Sequence, residues 1–218
     1  MNSLLTPPLA AVLERLFEAA DASLSSPVLA DFSEEDRLLM NSKTHYAEFY
    51  SRMREIPLAV SRETGTLLYM LARGRKAHTI IEFGTSFGIS TIFLAAALRD
   101  NGGGRLITTE FESSKVRKAQ IHLTEAGLSD LVEFREGDAL TTLSDNLPAS
   151  IDLVLLDGAK QLYLDVLRLL EDRLTPGALI IADNADHCPE YVQHVRSSRH
   201  GYVSIPFRDD VEVSARVA

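Results

Sequence analysis

The chain has 218 residues, with 22 Lys and Arg against 31 Asp and Glu, so its formal net charge is -9. This length can bury one sizeable core, and a hydrophobic share of 45% with a charged share of 24% is ordinary for a globular protein, which excludes disordered and fibrous classes. The negative charge repels phosphate backbones, and no lysine- and arginine-rich run reverses it locally, so nucleic acid is a disfavoured partner.

The amino-terminal region lacks a basic segment and carries Glu14 and Arg15 inside its apolar stretch, which favours an amphipathic helix over a signal peptide. No apolar run approaches the ~20 residues of a membrane span, so no membrane partner is expected. Cys188 is the only cysteine, so an internal disulfide cannot form. That usage fits a reducing compartment, and we expect a cytoplasmic location.

Helical patterns dominate the first part of the chain. Pro7 and Pro8 open a first helix with an apolar stripe. The stripe consists of Leu9, Val12, Leu13, Leu16, Phe17 and Ala20. Ser33, followed by three acidic residues, indicates the N-cap and first turn of a second helix. A third helix is predicted over Glu63 to Arg73, with Gly74 as its stop.

From residue 78 onward, short apolar or β-branched runs alternate with helical patterns. The predicted strands contain HTIIEF, GRLITTE, LVEFREG, IDLVLLD and ALIIAD. The predicted helices are SFGISTIFLAAALRD, ESSKVRKAQIHLTEAG, AKQLYLDVLRLLEDRL and a last one near Glu190 to Arg199. This alternation predicts a parallel sheet with helices on both faces. IDLVLL and ALIIA lack polar alternation, which is typical of central strands.

The end of the chain has a different pattern. GYVSIPF and VEVSARV are separated only by Arg208, Asp209 and Asp210, a loop too short for a parallel crossover, so they form a hairpin. The predicted fold is therefore a doubly wound, Rossmann-like α/β sheet of seven strands, mostly parallel, with an antiparallel C-terminal strand. We predict a single domain over 1–218, in which a helical segment, 1–75, packs over the rim of a core, 76–218.

The first strand-to-helix turn is the expected ligand site of such a sheet. In this turn, IIEFGTSFGIST, Gly84 and Gly88 allow the backbone to bend sharply and approach a ligand, and Ser90 stands where the next helix begins. The pattern is not the G-x-G-x-x-G of dinucleotide enzymes. A glycine turn kept for packing alone is the alternative interpretation.

Acidic residues follow the next two strands. Glu110 closes LITTE at the position from which a carboxylate accepts hydrogen bonds from ribose hydroxyls. Asp138 and Ala139 follow the third strand, where an adenine ring and its amino group could be met. Each acid alone could be an ordinary surface charge at a strand end. Together, and in register with the glycine turn, they favour a nucleotide site.

Two later strand ends, IDLVLLDGAK and ALIIADN, predict a metal site. Adjacent central strands place Asp157, Asp183 and Asn184 at the same edge of the sheet, and three oxygen ligands suit Mg²⁺ better than zinc. Such an ion could bind both oxygens of a vicinal diol and lower the pKa of the attacking hydroxyl. Lys160 is placed to take the proton, and near a cation its pKa should fall. The alternative is a helix cap at Asp157 and a turn at Asp183.

The acid before the glycine turn, the acid after the second strand and Asp-Ala after the third resemble the class I methyltransferase pattern. The resemblance implies that the turn, with Gly84, surrounds S-adenosylmethionine. Glu82 and Ser90 would hold its methionine end, where the carboxylate of Glu82 could face an ammonium group. Glu110 would then hold the ribose, and Asp138 with Ala139 the adenine.

The motifs D-G-A-K-x-x-Y and A-D-N are similar to those of cation-dependent O-methyltransferases, the family of catechol and caffeoyl-CoA O-methyltransferases. The resemblance runs from about Ile56 to the final hairpin. It implies that Asp157, which also borders the cofactor, binds a divalent metal with Asp183 and Asn184, and that Lys160 is the base. It also implies that the segment from Leu58 through Val60 folds over the cofactor, with a backbone contact from Val60.

By the same resemblance the acceptor is a small hydroxylated molecule, catechol-like or phenolic, and the protein is a homodimer. Three other functions stay open: an RNA methyltransferase of this fold, a nicotinamide dehydrogenase, and a cofactor-binding module without chemistry. The loop that follows A-D-N is shorter than the substrate-contacting loop of the plant enzymes, so the resemblance does not identify the particular acceptor.

Other polar and aromatic clusters have simpler explanations. His187 and Cys188 lack the second cysteine that a soft-metal site needs. The aromatic stripe formed by His45, Tyr46, Phe49 and Tyr50 is more typical of core or of a dimer interface than of a substrate pocket. The residues around Lys115 indicate a helix start and a solvated face.

Overall fold

The structure, a computed structural model, describes residues 2–207 and 210–217. The strands lie almost where the apolar runs predict them, except that the fifth begins earlier and pairs irregularly with the fourth. They are β1 (Thr79–Phe83), β2 (Arg105–Glu110), β3 (Val132–Glu136), β4 (Ile151–Leu156), β5 (Leu174–Ala182), β6 (Tyr202–Phe207) and β7 (Val211–Arg216).

The strands form one sheet in the order β3-β2-β1-β4-β5-β7-β6. Strands β1 to β5 run parallel, β7 pairs antiparallel with β5, and β6 pairs antiparallel with β7. The predicted doubly wound sheet and hairpin are confirmed, although Arg208 and Asp209 of the hairpin loop lie outside the described residues. The strand order reverses between β1 and β4, so the carboxyl ends of these strands flank the switch point where such sheets bind ligands.

The α-helices of the described chain lie before and between the strands. They are α1 (Leu9–Ser23), α2 (Pro27–Ala30), α3 (Glu34–Met40), α4 (Tyr46–Arg52), α5 (Arg62–Gly74), α6 (Ile89–Asp100), α7 (Ser113–Glu125), α8 (Ala139–Thr142), α9 (Tyr163–Leu170) and α10 (Pro189–Arg196). None of the helices within 2–207 and 210–217 is long and apolar enough to cross a membrane.

Helices cover both faces of the sheet. Helices α1, α5, α6 and α7 pack on one face, against residues that include Ile80 and Leu155. Helices α8, α9 and α10 pack on the other face, against residues that include Ile81 and Val154. Consecutive strand residues point to opposite faces, and both faces are dry, which explains why the central strands are apolar without alternation.

The N-terminal helices differ from the prediction in detail. The whole predicted stripe of α1 is buried, and Ser33 caps α3 through a reciprocal bond with Asp36. Gly74 does not stop α5, because it is the last residue of that helix. The left-handed residue is Lys76, at φ 53°, and the Ala77 N–H donates to the Ala72 carbonyl at 2.9 Å, a common way of ending a helix.

The segment before β1 does not lie only at the rim of the sheet. Helix α1 packs on a sheet face, whereas α3 and α4, which the sequence did not resolve as separate helices, share a small apolar cluster centred on Phe49, Met53 and Ile56. The helix predicted over AKQLYLDVLRLLEDRL is interrupted, since 3-10 turns at Lys160–Leu162 and Glu171–Arg173 flank α9.

Candidate functional site

The glycine turn packs directly against the end of β4. Gly84 has a φ of 102°, and a Cβ there would lie 2.4 Å from the carbonyl oxygen of Asp157. The Asp157 N–H donates to the Phe83 carbonyl at 2.8 Å, which locks the two strand ends together. Gly88, at φ 88°, occupies the N-cap of α6. Both glycines are therefore required by the backbone, and Gly84 keeps Asp157 at the switch point.

Glu82 lies beneath this turn, fully buried. Its carboxylate accepts hydrogen bonds from the hydroxyls of Ser90, Thr91 and Thr108, each at 2.6 Å. Burial raises the pKa of Glu82 to about 7, although the three hydroxyls act to lower it. The hydroxyl of Ser90 is thus bonded to Glu82, and this carboxylate joins β1, β2 and α6 instead of facing an open cavity.

A pocket opens beside the turn. We call it the inner pocket; its lining includes Gly84, Ser86, Glu110, Phe111, Asp138 and Ala139. The carboxylate of Glu110 accepts the N–H groups of Ser86 at 2.9 Å and Glu112 at 3.0 Å, so its position is fixed. Burial raises the pKa of Glu110 in spite of these bonds. The predicted ribose and adenine residues are thus brought together.

Helix α4 covers the end of the inner pocket at which Asp138 lies. The hydroxyl of Tyr46 donates to Asp138 at 3.0 Å, and the ring of Tyr46 meets Phe111 edge to face. Tyr50 also lines the inner pocket, whereas Phe49 belongs to the apolar cluster. The sequence favoured core or a dimer interface for this aromatic stripe. Tyr46 and Tyr50 share one face of the helix at i and i+4, whereas Phe49 is offset from Tyr50 by one residue, and this offset was the only signal of a second face.

The segment that resembles a cofactor cover is held to the turn. The Leu58 N–H donates to the Ser86 hydroxyl at 3.1 Å, and Leu58 lines the inner pocket. Val60 is buried and lines a second, wider cavity that is open to solvent, which we call the outer cleft. The side chain of Val60 is therefore not on the wall of the inner pocket.

The outer cleft contains the four residues predicted for metal binding and proton transfer. Asp157, Lys160, Asp183 and Asn184 all line it. Asp157 also lines the inner pocket, as do Tyr50 and Leu58, so the two cavities meet at these residues. A group bound in one cavity would therefore lie next to a group bound in the other.

Lys160 is anchored at this junction. Its Nζ donates to the Asp157 carboxylate and to the Tyr163 hydroxyl, both at 2.9 Å, and the Tyr163 hydroxyl donates to the Asp183 carbonyl at 2.8 Å. Burial acts to lower the pKa of Lys160, but Asp157 and the other acidic groups around it raise the pKa well above its usual value. The sequence predicted a lowered pKa for Lys160 beside a bound cation, so that prediction applies to the metal-bound site.

The Asp183 carboxylate is perturbed by its surroundings. Burial, followed by the charge of Asp157, raises the pKa of Asp183 to about 7. Two acids placed close together in a partly buried site resist full ionisation unless a cation joins them. Asn184 adopts a left-handed backbone conformation, at φ 51°, directly after Asp183.

The chemistry of these donors fits a hard divalent cation. Two carboxylates and one amide oxygen form an all-oxygen set, and no described side chain donates a hydrogen bond to the side-chain oxygens of Asp183 or Asn184. Within the described ranges no group of three or more His, Cys, Asp or Glu side chains could hold a metal ion, which argues against a soft-metal site at His187 and Cys188.

The sheet order, with an acid-lined pocket at the switch point, defines a class I methyltransferase fold. A methyltransferase-domain family profile matches residues 81–185. A catechol O-methyltransferase of Niastella koreensis is 34% identical over 173 residues, which are 78% of this chain and 74% of that protein. Another, of Mycobacterium tuberculosis, is 34% identical over 131 residues, which are 60% of this chain and 59% of that protein.

Solved structures agree with these relatives. The O-methyltransferase TomG of Streptomyces achromogenes, in complex with S-adenosylmethionine, is 27% identical with a TM-score of 0.67 and covers 94% of this chain and 99% of its own. A Bacillus cereus O-methyltransferase at 23% identity, with a TM-score of 0.69 and coverage of 94% and 100%, supports the fold alone. The chain belongs to the class I S-adenosylmethionine-dependent O-methyltransferase family and is related to catechol O-methyltransferases.

Proposed function

We propose that this protein transfers the methyl group of S-adenosylmethionine to a hydroxyl of a small catechol-like or phenolic acceptor, with a divalent cation, Mg²⁺, as its cofactor. The observation that supports this proposal is the position of Asp157, which lies on the walls of both the inner pocket and the outer cleft. A cofactor in the first cavity and an acceptor in the second would meet beside an oxygen-rich ligand set.

The chain's own residues have separate roles in this proposal. Asp157, Asp183 and Asn184 would hold the cation, which when bound lowers the pKa of an acceptor hydroxyl and fixes the acceptor's orientation. Lys160, whose Nζ lies in the cleft beside Asp157 and Tyr163, would take the hydroxyl proton in its neutral amine form, which a bound cation would favour by offsetting the charge of Asp157. Leu58, tied to Ser86, would help keep water from the methyl group. In-line transfer then depends on the proximity of the two cavities.

The experiment is a radiolabelled methyl-transfer assay with a panel of catechols and caffeoyl-type phenols. We expect turnover with Mg²⁺, its loss in EDTA, and its recovery when Mg²⁺ is restored. Asp157→Ala and Lys160→Met should each reduce kcat/KM by at least about 100-fold, in line with general-base and electrostatic contributions. Asp186→Ala is the control, since this acid is exposed on the loop that carries Asp183 and Asn184, and it should retain activity.

Two outcomes would contradict the proposal in different ways. Undiminished turnover in EDTA would remove the cation from the mechanism. Binding of S-adenosylmethionine without turnover across the whole panel would favour a binding module that lacks chemistry.

A further inference from the structure

A buried lysine faces the inner pocket, although the sequence pattern placed it on a solvated helix surface. Lys115 lies in the first turn of α7, lines the inner pocket, and is only 3% exposed. Its Nζ donates to the Ser86 hydroxyl at 3.5 Å, a long hydrogen bond. No carboxylate of residues 2–207 and 210–217 forms an ion pair with it.

An ammonium group in this setting has unused donors. It can donate three hydrogen bonds, and its burial is costly because its contacts are one long hydrogen bond and the ring of Phe87, whose centroid is 5.9 Å from Nζ. Burial accordingly lowers the pKa of Lys115, whereas Glu110, Glu112 and Asp157 act to raise it. Glu110 stands nearby but already accepts two backbone N–H groups. The remaining donors of Lys115 therefore require acceptors supplied by whatever occupies the pocket.

We propose that Lys115 is a cofactor-binding residue that donates a hydrogen bond to a ribose hydroxyl of S-adenosylmethionine, beside Glu110. Ser86 positions both groups, because its N–H donates to Glu110 and its hydroxyl accepts from Lys115. A ribose hydroxyl can donate to the carboxylate and accept from the ammonium at once. A ligand carboxylate would be repelled here by Glu110 and Glu112, which disfavours the methionine end of the cofactor.

This proposal rests on the cofactor of the proposed function and on none of its later steps. Calorimetric titration with S-adenosylhomocysteine and with methylthioadenosine tests it, since the second ligand keeps the ribose and adenine but lacks the amino-acid end. In Lys115→Met we expect both ligands to bind roughly ten- to a hundred-fold more weakly, the size of a lost hydrogen bond from a charged group.

Lys118→Met is the matched control. Lys118 lies one turn further along α7, pairs with Glu55 at 2.7 Å, and is not on the pocket wall. The control removes the same charge from the same helix, and we expect it to change either affinity by less than about three-fold. The apo melting temperature of Lys115→Met should stay the same or rise, because a poorly paired buried charge is removed. If this variant does not fold, Lys115→Gln replaces it with the same measurements.

Each other result would overturn the assignment. Wild-type affinity for both ligands in Lys115→Met would make the lysine merely structural, and equal losses in the two variants would indicate a general charge effect. Weaker S-adenosylhomocysteine binding with unchanged methylthioadenosine binding would move the contact to the amino-acid end. Failure of the wild-type protein to bind either ligand would instead contradict the cofactor in the proposed function.

Discussion

At Gly84 both the space and the backbone require glycine. Its φ of 102° is unfavourable for other residues, and a Cβ would overlap the Asp157 carbonyl oxygen. We expect Gly84→Ala to lower the free energy of unfolding by about 2 kcal/mol or more, measured by urea denaturation. Gly74→Ala is the control, because nothing lies within 4 Å of its added Cβ and helix α5 favours alanine. Equal stability of the two variants would contradict this account.

Glu82 should make the stability of the protein depend on pH. Its pKa rises from 4.5 to about 7 on folding, so between these values the folded state holds a proton that the unfolded state has lost. The stabilisation is complete below pH 4.5 and is lost as pH rises to about 7. Relative to Glu82→Gln, we expect the wild type to lose about 3 kcal/mol of unfolding free energy over this range.

Chemical denaturation in EDTA across this pH range measures the difference between the two proteins. Asp183, whose pKa is also raised, contributes equally to both and cancels. Parallel pH profiles for the wild type and Glu82→Gln would contradict the buried, proton-binding role of Glu82.

The sequence predicts the place of some site residues better than that of others. Glu110 and Asp138 follow strands, and strand ends of a parallel sheet converge whatever the rest of the chain does. Tyr46 and Lys115 line the inner pocket because α4 and the first turn of α7 pack beside it. A helix pattern identifies the residues that share a face, but the neighbour that this face meets depends on contacts distant in sequence. That is why Lys115 was predicted to be solvated.

At the scale of elements, the start of α5 fixes where the segment from Leu58 through Val60 ends. The Ser61 hydroxyl accepts the Thr64 N–H at 3.0 Å, just after Leu58 and Val60. Ser61→Ala should cost about 1 kcal/mol of unfolding free energy, whereas Ser61→Asp, which restores a capping oxygen, should cost little. Thermal and urea unfolding measure both values. A loss in Ser61→Asp as large as in Ser61→Ala would contradict the capping role.

Elements with a long periodic pattern were the predictable ones. The apolar stripe of α1 and the apolar runs of β4 and β5 can be recognised in the sequence, because burial on one or two faces constrains the type of many consecutive residues. Helix α4 has only seven residues, which is too short to be stable alone. Its apolar face packs with α3, and this tertiary contact stabilises it. The 3-10 turn at Lys160–Leu162 lies where Lys160 bonds to Asp157 and Tyr163, which are contacts that the helical pattern does not include.

For the molecule as a whole, the sheet order creates the site. Strand β1 lies between β2 and β4, so Glu110 and Asp157 end neighbouring strands on either side of the glycine turn. The alternation of strands and helices predicts that these ends share an edge. It does not predict that two separate cavities meet at Asp157, because the outer cleft is completed by residues of α1 to α4.

The net charge of -9 leads to a last prediction, which concerns the RNA methyltransferase alternative. A protein that binds RNA through phosphates needs clustered cations, and two of the basic residues along α7 are used internally: Lys118 pairs with Glu55, and Lys115 is buried. We expect no mobility shift with bulk tRNA at about 0.15 M salt, where the screening length is roughly 8 Å. A complex that survives this salt, with methyl groups transferred to the tRNA, would replace the small-molecule acceptor with RNA.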